Sequence, residues 1–195
     1  MKSNQNNLAL FGTSADPPTN GHKEIIKELA DIYPLVITYA SDNPSKKHRE
    51  NLFFRSLLLK TLIDEFNNKK IFFDQEISSP WAIKSIQKCK KKYNNHKIDF
   101  VIGSDLLEDI FSWRKFDQIL KESKLFIIPR DGYPIKSINL KLIKEYKGSY
   151  EISSLMIPKV SSSEIRLKIQ DSYLPKSITA LIKSNNLYNF SNIEE

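Results

Sequence analysis

The sequence predicts an α/β fold: a doubly wound parallel sheet of five to six strands, with helices on both faces and a helical C-terminal end. Three observations carry that reading. Short apolar runs alternate along the chain with stretches whose apolar residues recur at helical spacing. Of the five glycines, Gly12, Gly103 and Gly132 fall at or near predicted strand ends and Gly21 opens a predicted helix, which leaves only Gly148 elsewhere. No repeat, low-complexity tract or long linker interrupts the 195 residues. A single domain spanning 1–195 is therefore expected, with its C-terminal helical part at about 161–188.

The first element is the apolar run at 8–11 (LALF), read as a short buried strand that Gly12 breaks. A polar loop with Asp16, Pro17 and Pro18 follows. Beyond it Ile25, Ile26, Leu29, Ala30 and Tyr33 recur at helical spacing, with Thr19 as candidate N-cap and His22 in the first turn. The run at 35–40 (LVITYA) is a second strand. Residues 51–66 form a helix, with Leu52, Leu58, Leu59, Leu62 and Phe66 at helical intervals. A short third strand is expected at 71–73, then a helix at 81–93, with Pro80 suited to its first turn. The fourth strand is 98–102 (IDFVI), followed by a helix at 116–122 and a fifth strand at 125–129 (LFIIP). A sixth strand lies within 151–157, and helices at 162–170 and 178–184 close the chain. Right-handed crossovers place every strand-to-helix loop at the carboxyl edge of such a sheet, where α/β proteins bind ligands. Glycine there permits close approach of backbone to ligand.

Composition narrows the class. The chain is 40% hydrophobic and 27% charged, enough apolar surface for a real core. Cys89 is the only cysteine, so no disulfide within the chain can form and a structural zinc site is not expected. No apolar run approaches the ~20 residues of a membrane span. The start, MKSNQNN, leads directly into the first strand and leaves no room for a signal peptide, so a cytoplasmic protein is expected. The formal net charge of +7 comes from lysines spread along the whole chain, with short clusters at Lys46-Lys47 and at 88–92. Aromatics do not interleave with them, so a solvated surface is favoured over nucleic-acid binding. A small anionic substrate would equally suit a basic cleft.

The segment 8–33 concentrates the chemistry. Strand, glycine-containing loop and helix in succession aim backbone N–H groups and the positive end of a helix dipole at whatever sits above the strand, most often a phosphate. Thr19-Asn20-Gly21-His22 in that setting resembles the (His/Thr)-x-Gly-His signature of the nucleotidylyltransferase superfamily. Later motifs narrow the resemblance. IDFVIGSDLLEDIFSWRKF, at 98–116, is similar to the strand, Ile-Gly-x-Asp, spacer and Trp of the bacterial nicotinate-nucleotide adenylyltransferases. PRDGYP at 129–134 resembles that family's Arg-x-Gly-Tyr turn, and VSSSEIR at 160–166 its Ile-Ser-Ser-Thr-x-Ile-Arg. LPKSITALIKSNNLY at 174–188 is similar to its closing Pro-x-x-Val-x-x-Tyr-Ile and Leu-Tyr. These motifs follow one another in the family's order over most of the chain.

The resemblance implies a Rossmann-like fold and adenylyl transfer from ATP to nicotinate mononucleotide in NAD biosynthesis, with release of pyrophosphate. The attacking phosphate is already an anion, so the protein needs to align two anions and stabilise the transition state rather than supply a base. His22 and Thr19 can donate to phosphate oxygens, and Arg166 adds a planar cationic fork; these three are the catalytic candidates. ATP is expected against Gly12, Thr13, Ser14, Gly21, Gly103, Asp105, Ser162 and Ser163, with Asp105 as acceptor for ribose hydroxyls. The mononucleotide is expected against Trp113, Arg130, Lys46 and Lys47. The family pattern implies that Trp113 stacks on the pyridine ring, although core packing is the usual role of a tryptophan. Lys46 and Lys47 lie in NPSKKH, which takes the place of the family's Pro-Pro-His-Lys loop. No acidic cluster forms a dedicated metal cage, so Mg²⁺ is expected to arrive with ATP. Oligomeric state is left open, a homo-oligomer included.

Three departures bear on substrate choice. Thr19 replaces the commoner first His of the signature. The family's Gly-Gly-Thr-Phe-Asp-Pro is Gly12-Thr13-Ser14-Ala15-Asp16-Pro17 here. Its Ser-Tyr-Thr appears within Ser79-Pro80-Trp81-Ala82, which lacks the Thr implied to meet the nicotinate carboxylate. Nicotinamide mononucleotide or pantetheine phosphate as acceptor, and a non-catalytic nucleotide-binding module, therefore remain alternatives.

Overall fold

The computed structural model describes residues 6–155 and 171–188. Its strands are β1 (Asn7–Thr13), β2 (Leu35–Ala40), β3 (Ile71–Phe73), β4 (Lys97–Gly103), β5 (Lys124–Ile128) and β6 (Tyr150–Ile152). Its α-helices are α1 (Asn20–Ile32), α2 (Leu52–Asp64), α3 (Ala82–Lys92), α4 (Phe116–Glu122), α5 (Ser137–Glu145) and α6 (Lys176–Ser184). The strands form one sheet in the order β3-β2-β1-β4-β5-β6, and every pairing is parallel. The chain winds outward from β1 through β2 to β3, then returns to the other side of β1 with β4. That reversal opens a crevice above the carboxyl ends of β1 and β4.

Strand alternation sorts the core into two layers. Ala9 and Phe11 of β1, Val36 of β2 and Val101 of β4 face Leu29 of α1, Leu58 and Leu62 of α2 and Ile178 and Ile182 of α6. Leu8 and Leu10, Ile37, and Phe100 and Ile102 face the opposite way, onto Ile83 and Ile86 of α3, Ile119 of α4 and Ile143 of α5. Both faces of the central strands are covered, which is why they read as continuous apolar runs. No helix among the described residues is long and apolar enough to cross a membrane.

Several sequence expectations are corrected by the tertiary structure. Gly12 does not break β1: it stays in the parallel ladder opposite Tyr39, and Thr13 pairs with Ala40. A Cβ on Gly12 would run into the Tyr39 ring, so the glycine serves close packing between neighbouring strands. Pro80 lies before α3 rather than in its first turn, because Trp81 is the N-cap. Pro129 falls just past β5, and the sixth strand ends at Ile152. Helix α5 was not anticipated. Its Ile138, Leu140 and Leu142 alternate like a strand, yet Asn139 and Ile143 are the buried positions and Ile138 is exposed. The helix expected at 162–170 lies outside the described residues.

One polar network fastens the loops above the crevice. Asp16 has no solvent exposure, and its carboxylate accepts from the backbone N–H of Arg49 (2.8 Å), that of Glu50 (3.2 Å) and the Tyr188 hydroxyl (2.9 Å). Arg55, equally buried, donates from Nη1 to the carbonyls of Ser14 (2.7 Å) and Ser41 (2.8 Å), and from Nε to that of Glu50 (3.1 Å). The loops after β1 and β2 and the C-terminal Tyr188 thus share one buried centre. Burial and the Asp16 carboxylate push the Tyr188 hydroxyl far above its ordinary range, so it remains a donor.

Replacing Arg55 with Met would strand three carbonyls and remove the buried positive charge that Asp16 faces. The expected loss is about 3–5 kcal/mol, read as a lower urea midpoint with an unchanged slope.

Candidate active site

Helix α1 opens on the residues that sequence analysis singled out. Thr19 is its N-cap, in extended conformation, and its hydroxyl accepts from the His22 backbone N–H at 3.4 Å. In return, the Thr19 backbone N–H donates to His22 Nδ1 at 3.1 Å. This is a capping box with histidine in the place usually taken by Glu or Gln. The arrangement assigns the tautomer: an amide N–H can only donate, so Nδ1 is the acceptor and the ring proton sits on Nε2. Nε2 in turn lies 2.9 Å from Thr13 Oγ1 at the end of β1. Burial first, then the positive charges of Arg130 and Lys46, lower the His22 pKa to about 4. The ring is therefore neutral at physiological pH and presents a fixed N–H at the edge of the crevice.

That crevice is a cleft of about 880 Å³, in the size range of a site for a cofactor or a pair of small nucleotides. Gly12, Thr13, Ser14, Gly21 and His22 form its floor. Lys46, Lys47 and His48 line one side, from the loop after β2. Gly103, Asp105 and Arg130 line another, and Trp81, Ala82, Trp113 and Arg114 make the far wall. Sequence analysis named most of these residues from separate stretches, and the fold brings them to one cavity. Ser162, Ser163 and Arg166 lie outside the described residues.

Local contacts refine several expectations. Asp105 Oδ2 accepts from Arg130 Nη1 at 2.9 Å, while Oδ1 is buried and has no hydrogen-bond partner among the described residues. A buried carboxylate oxygen without a donor beside an open cleft is suited to a ligand hydroxyl. Ser14 Oγ is in the same condition. A Cβ on Gly103 would collide with Asp105 Oδ1, so this glycine makes room for the carboxylate that follows it. Arg130, expected to meet the mononucleotide, is engaged by Asp105. Trp113 is half-buried against Phe100, edge to face with ring centroids 6.4 Å apart, and also lines the cleft. The same side chain therefore belongs both to the core and to the cleft wall.

Sequence reasoning missed two contributors. Ser104 donates to the Tyr133 carbonyl (2.8 Å) and accepts from the Arg130 N–H (2.9 Å), which locks the loop after β4 to the turn after β5. His48 lines the cleft with its Nε2 buried and without a partner among the described residues, and burial lowers its pKa. The signal for His48 was present in the loop that stands in for Pro-Pro-His-Lys. No group of three His, Cys, Asp or Glu that could hold a metal occurs among the described residues.

The electrostatics make one direct prediction. In an NMR titration the His22 ring protons should shift with a midpoint near 4 and show no step between pH 6 and 8. The folded pKa lies below the ordinary histidine value of 6.5, so the unfolded chain binds more protons across that interval. This residue's contribution to folding therefore falls as pH drops from about 6.5 towards 4.

Comparison with known proteins places this geometry in a family. The cytidylyltransferase-like family model matches residues 10–168. A Clostridium tetani protein named "Probable nicotinate-nucleotide adenylyltransferase" is 30% identical over 196 residues, covering 92% of this chain and 98% of the relative. The Bacillus subtilis nicotinate-nucleotide adenylyltransferase is 26% identical over 188 residues, covering 93% and 97%. Among solved structures, Plasmodium falciparum nicotinic acid mononucleotide adenylyltransferase complexed with NaAD superposes with a TM-score of 0.76 at 22% identity, over 95% of this chain and 98% of that one. Aligned almost end to end with such relatives, the chain belongs to the cytidylyltransferase-like family and, within it, to the nicotinate-nucleotide adenylyltransferases, which are nucleotidyltransferase enzymes.

Proposed function

We propose that this protein transfers the adenylyl group of ATP to nicotinate mononucleotide, as a single nucleotidylyltransferase domain in the cytoplasm. The observation that carries the reading is the neutral His22 at the N-terminus of α1, with its Nε2–H held at the cleft floor beside Thr13. A mononucleotide phosphate oxygen attacks the α-phosphorus of ATP. The bond from that phosphorus to the bridging oxygen breaks, and its electron pair leaves on pyrophosphate. No proton has to be removed from the nucleophile, so a neutral N–H donor suits the site better than a base. His22 transfers its hydrogen bond from Thr13 to an α-phosphate oxygen, and the start of α1 adds its dipole.

ATP is proposed to lie against Gly12, Thr13, Ser14, Gly21, Gly103 and Asp105. Arg166, Ser162 and Ser163 are proposed to contact its outer phosphates. Lys46, Lys47 and Arg130 are proposed for the mononucleotide phosphate, and Trp113 for the pyridine ring. Mg²⁺ is proposed to enter with the triphosphate, coordinated by phosphate oxygens and water.

The deciding experiment follows dinucleotide and pyrophosphate formation from ATP with nicotinate or nicotinamide mononucleotide, with Mg²⁺ present or chelated. Turnover should require the metal. The acid should be preferred at least tenfold in kcat/KM, since donors placed for a carboxylate are left unpaired by the amide. Equal use of both acceptors would overturn the substrate assignment and leave the transfer reaction standing.

His22→Ala should lower kcat on the order of a hundredfold or more, as loss of a transition-state donor does. Its far-UV circular dichroism should match wild type. A near-normal kcat would move charge stabilisation to Thr19 or a lysine.

A further inference from the structure

The far wall of the cleft holds an arginine that the transfer chemistry does not use. The Arg114 guanidinium carbon lies 5.0 Å from the centroid of the Trp81 ring, and both side chains line the cleft with Trp113 and Ala82. Its guanidinium makes no ion pair or hydrogen bond to another described residue. The other arginine of the cleft, Arg130, is occupied by Asp105 at 2.9 Å. Lys46 and Lys47 stand on the separate loop after β2. Asp109 lines the cleft too, but it forms no ion pair with Arg114 among the described residues.

Trp81 is the N-cap of α3 and is 39% exposed, so its ring is presented at the surface of the cleft rather than spent in the core. A guanidinium held over an indole keeps its edge N–H groups free for an acceptor. A carboxylate fixed to an aromatic ring offers two coplanar oxygens, which match that edge in bidentate fashion. A carboxamide at the same place carries no charge and, in one of its two orientations, turns an NH₂ towards N–H donors. The discrimination thus has an attractive and a repulsive part.

We propose that Arg114 reads the acidic substituent of the pyridine ring of the mononucleotide and that Trp81 positions it. This assignment rests on the adenylyl-transfer reading above. It supplies the charge partner that Ala82 lacks the side-chain donor to provide.

The test measures kcat/KM for the acid and amide mononucleotides in wild type, Arg114→Met, Arg114→Lys, Trp81→Phe and Trp81→Ala. In Arg114→Met the acid-to-amide ratio should fall tenfold or more, mainly through KM for the acid. Arg114→Lys should retain part of the ratio. Trp81→Phe should hold it near wild type, and Trp81→Ala should lower it in the same direction as Arg114→Met. An unchanged ratio in Arg114→Met overturns the proposal, whether both acceptors weaken together or neither does. The two readings fail differently. Wild-type protein that adenylylates neither mononucleotide defeats the reaction itself, whereas acid-selective turnover that is indifferent to Arg114 defeats only this assignment.

Discussion

The buried opposite charges of Asp16 and Arg55 are the constraint on which the cleft depends. Neither side chain touches bulk water, so each has to be satisfied by the protein, and each does so mainly through backbone. Their partners belong to the loop after β1 and to the loop that joins β2 to α2. Tyr188 adds the C-terminal end, 172 residues away in sequence. Three polar segments that would otherwise move independently are thereby held at fixed separation above the carboxyl edge of the sheet. Such a network contributes less to net stability than an apolar core of equal volume, because desolvating the two charges offsets much of their attraction. What it supplies is position, and phosphoryl-transfer chemistry depends on position above all.

The same economy governs His22. A protonated imidazole would attract a phosphate more strongly, but burial first, then Arg130 and Lys46, oppose the proton. The positive charge of the cleft is carried instead by Arg130, Lys46 and Lys47, and the histidine becomes a directional donor. Thr19 fixes that direction from behind through the capping box, and Thr13 holds the N–H in place from the front. The loop after β4 is pre-organised in a comparable way: Ser104 joins it to the turn after β5, and Arg130 orients one oxygen of Asp105 and leaves the other open.

The alternation of strands and helices, the position of α1, the Thr19 cap and the place of His22 were all legible in the sequence. Each is a local property, set by apolar periodicity or by a cap within one turn, and short-range patterns survive folding unchanged. The residues gathered at the cleft were legible for the related reason that strand-to-helix loops in a parallel sheet share one edge. The tertiary structure alone decided the rest. Gly12 looked like a strand breaker, yet it packs against the Tyr39 ring, and α5 carried a strand-like alternation that the burial of Asn139 and Ile143 on one helical face overrode. The centre formed by Asp16, Arg55 and Tyr188, the Ser104 link and the stacking of Arg114 on Trp81 each join loops far apart in the chain. A long polar side chain has many possible partners in a sequence, and only the packed sheet brings one of them within reach.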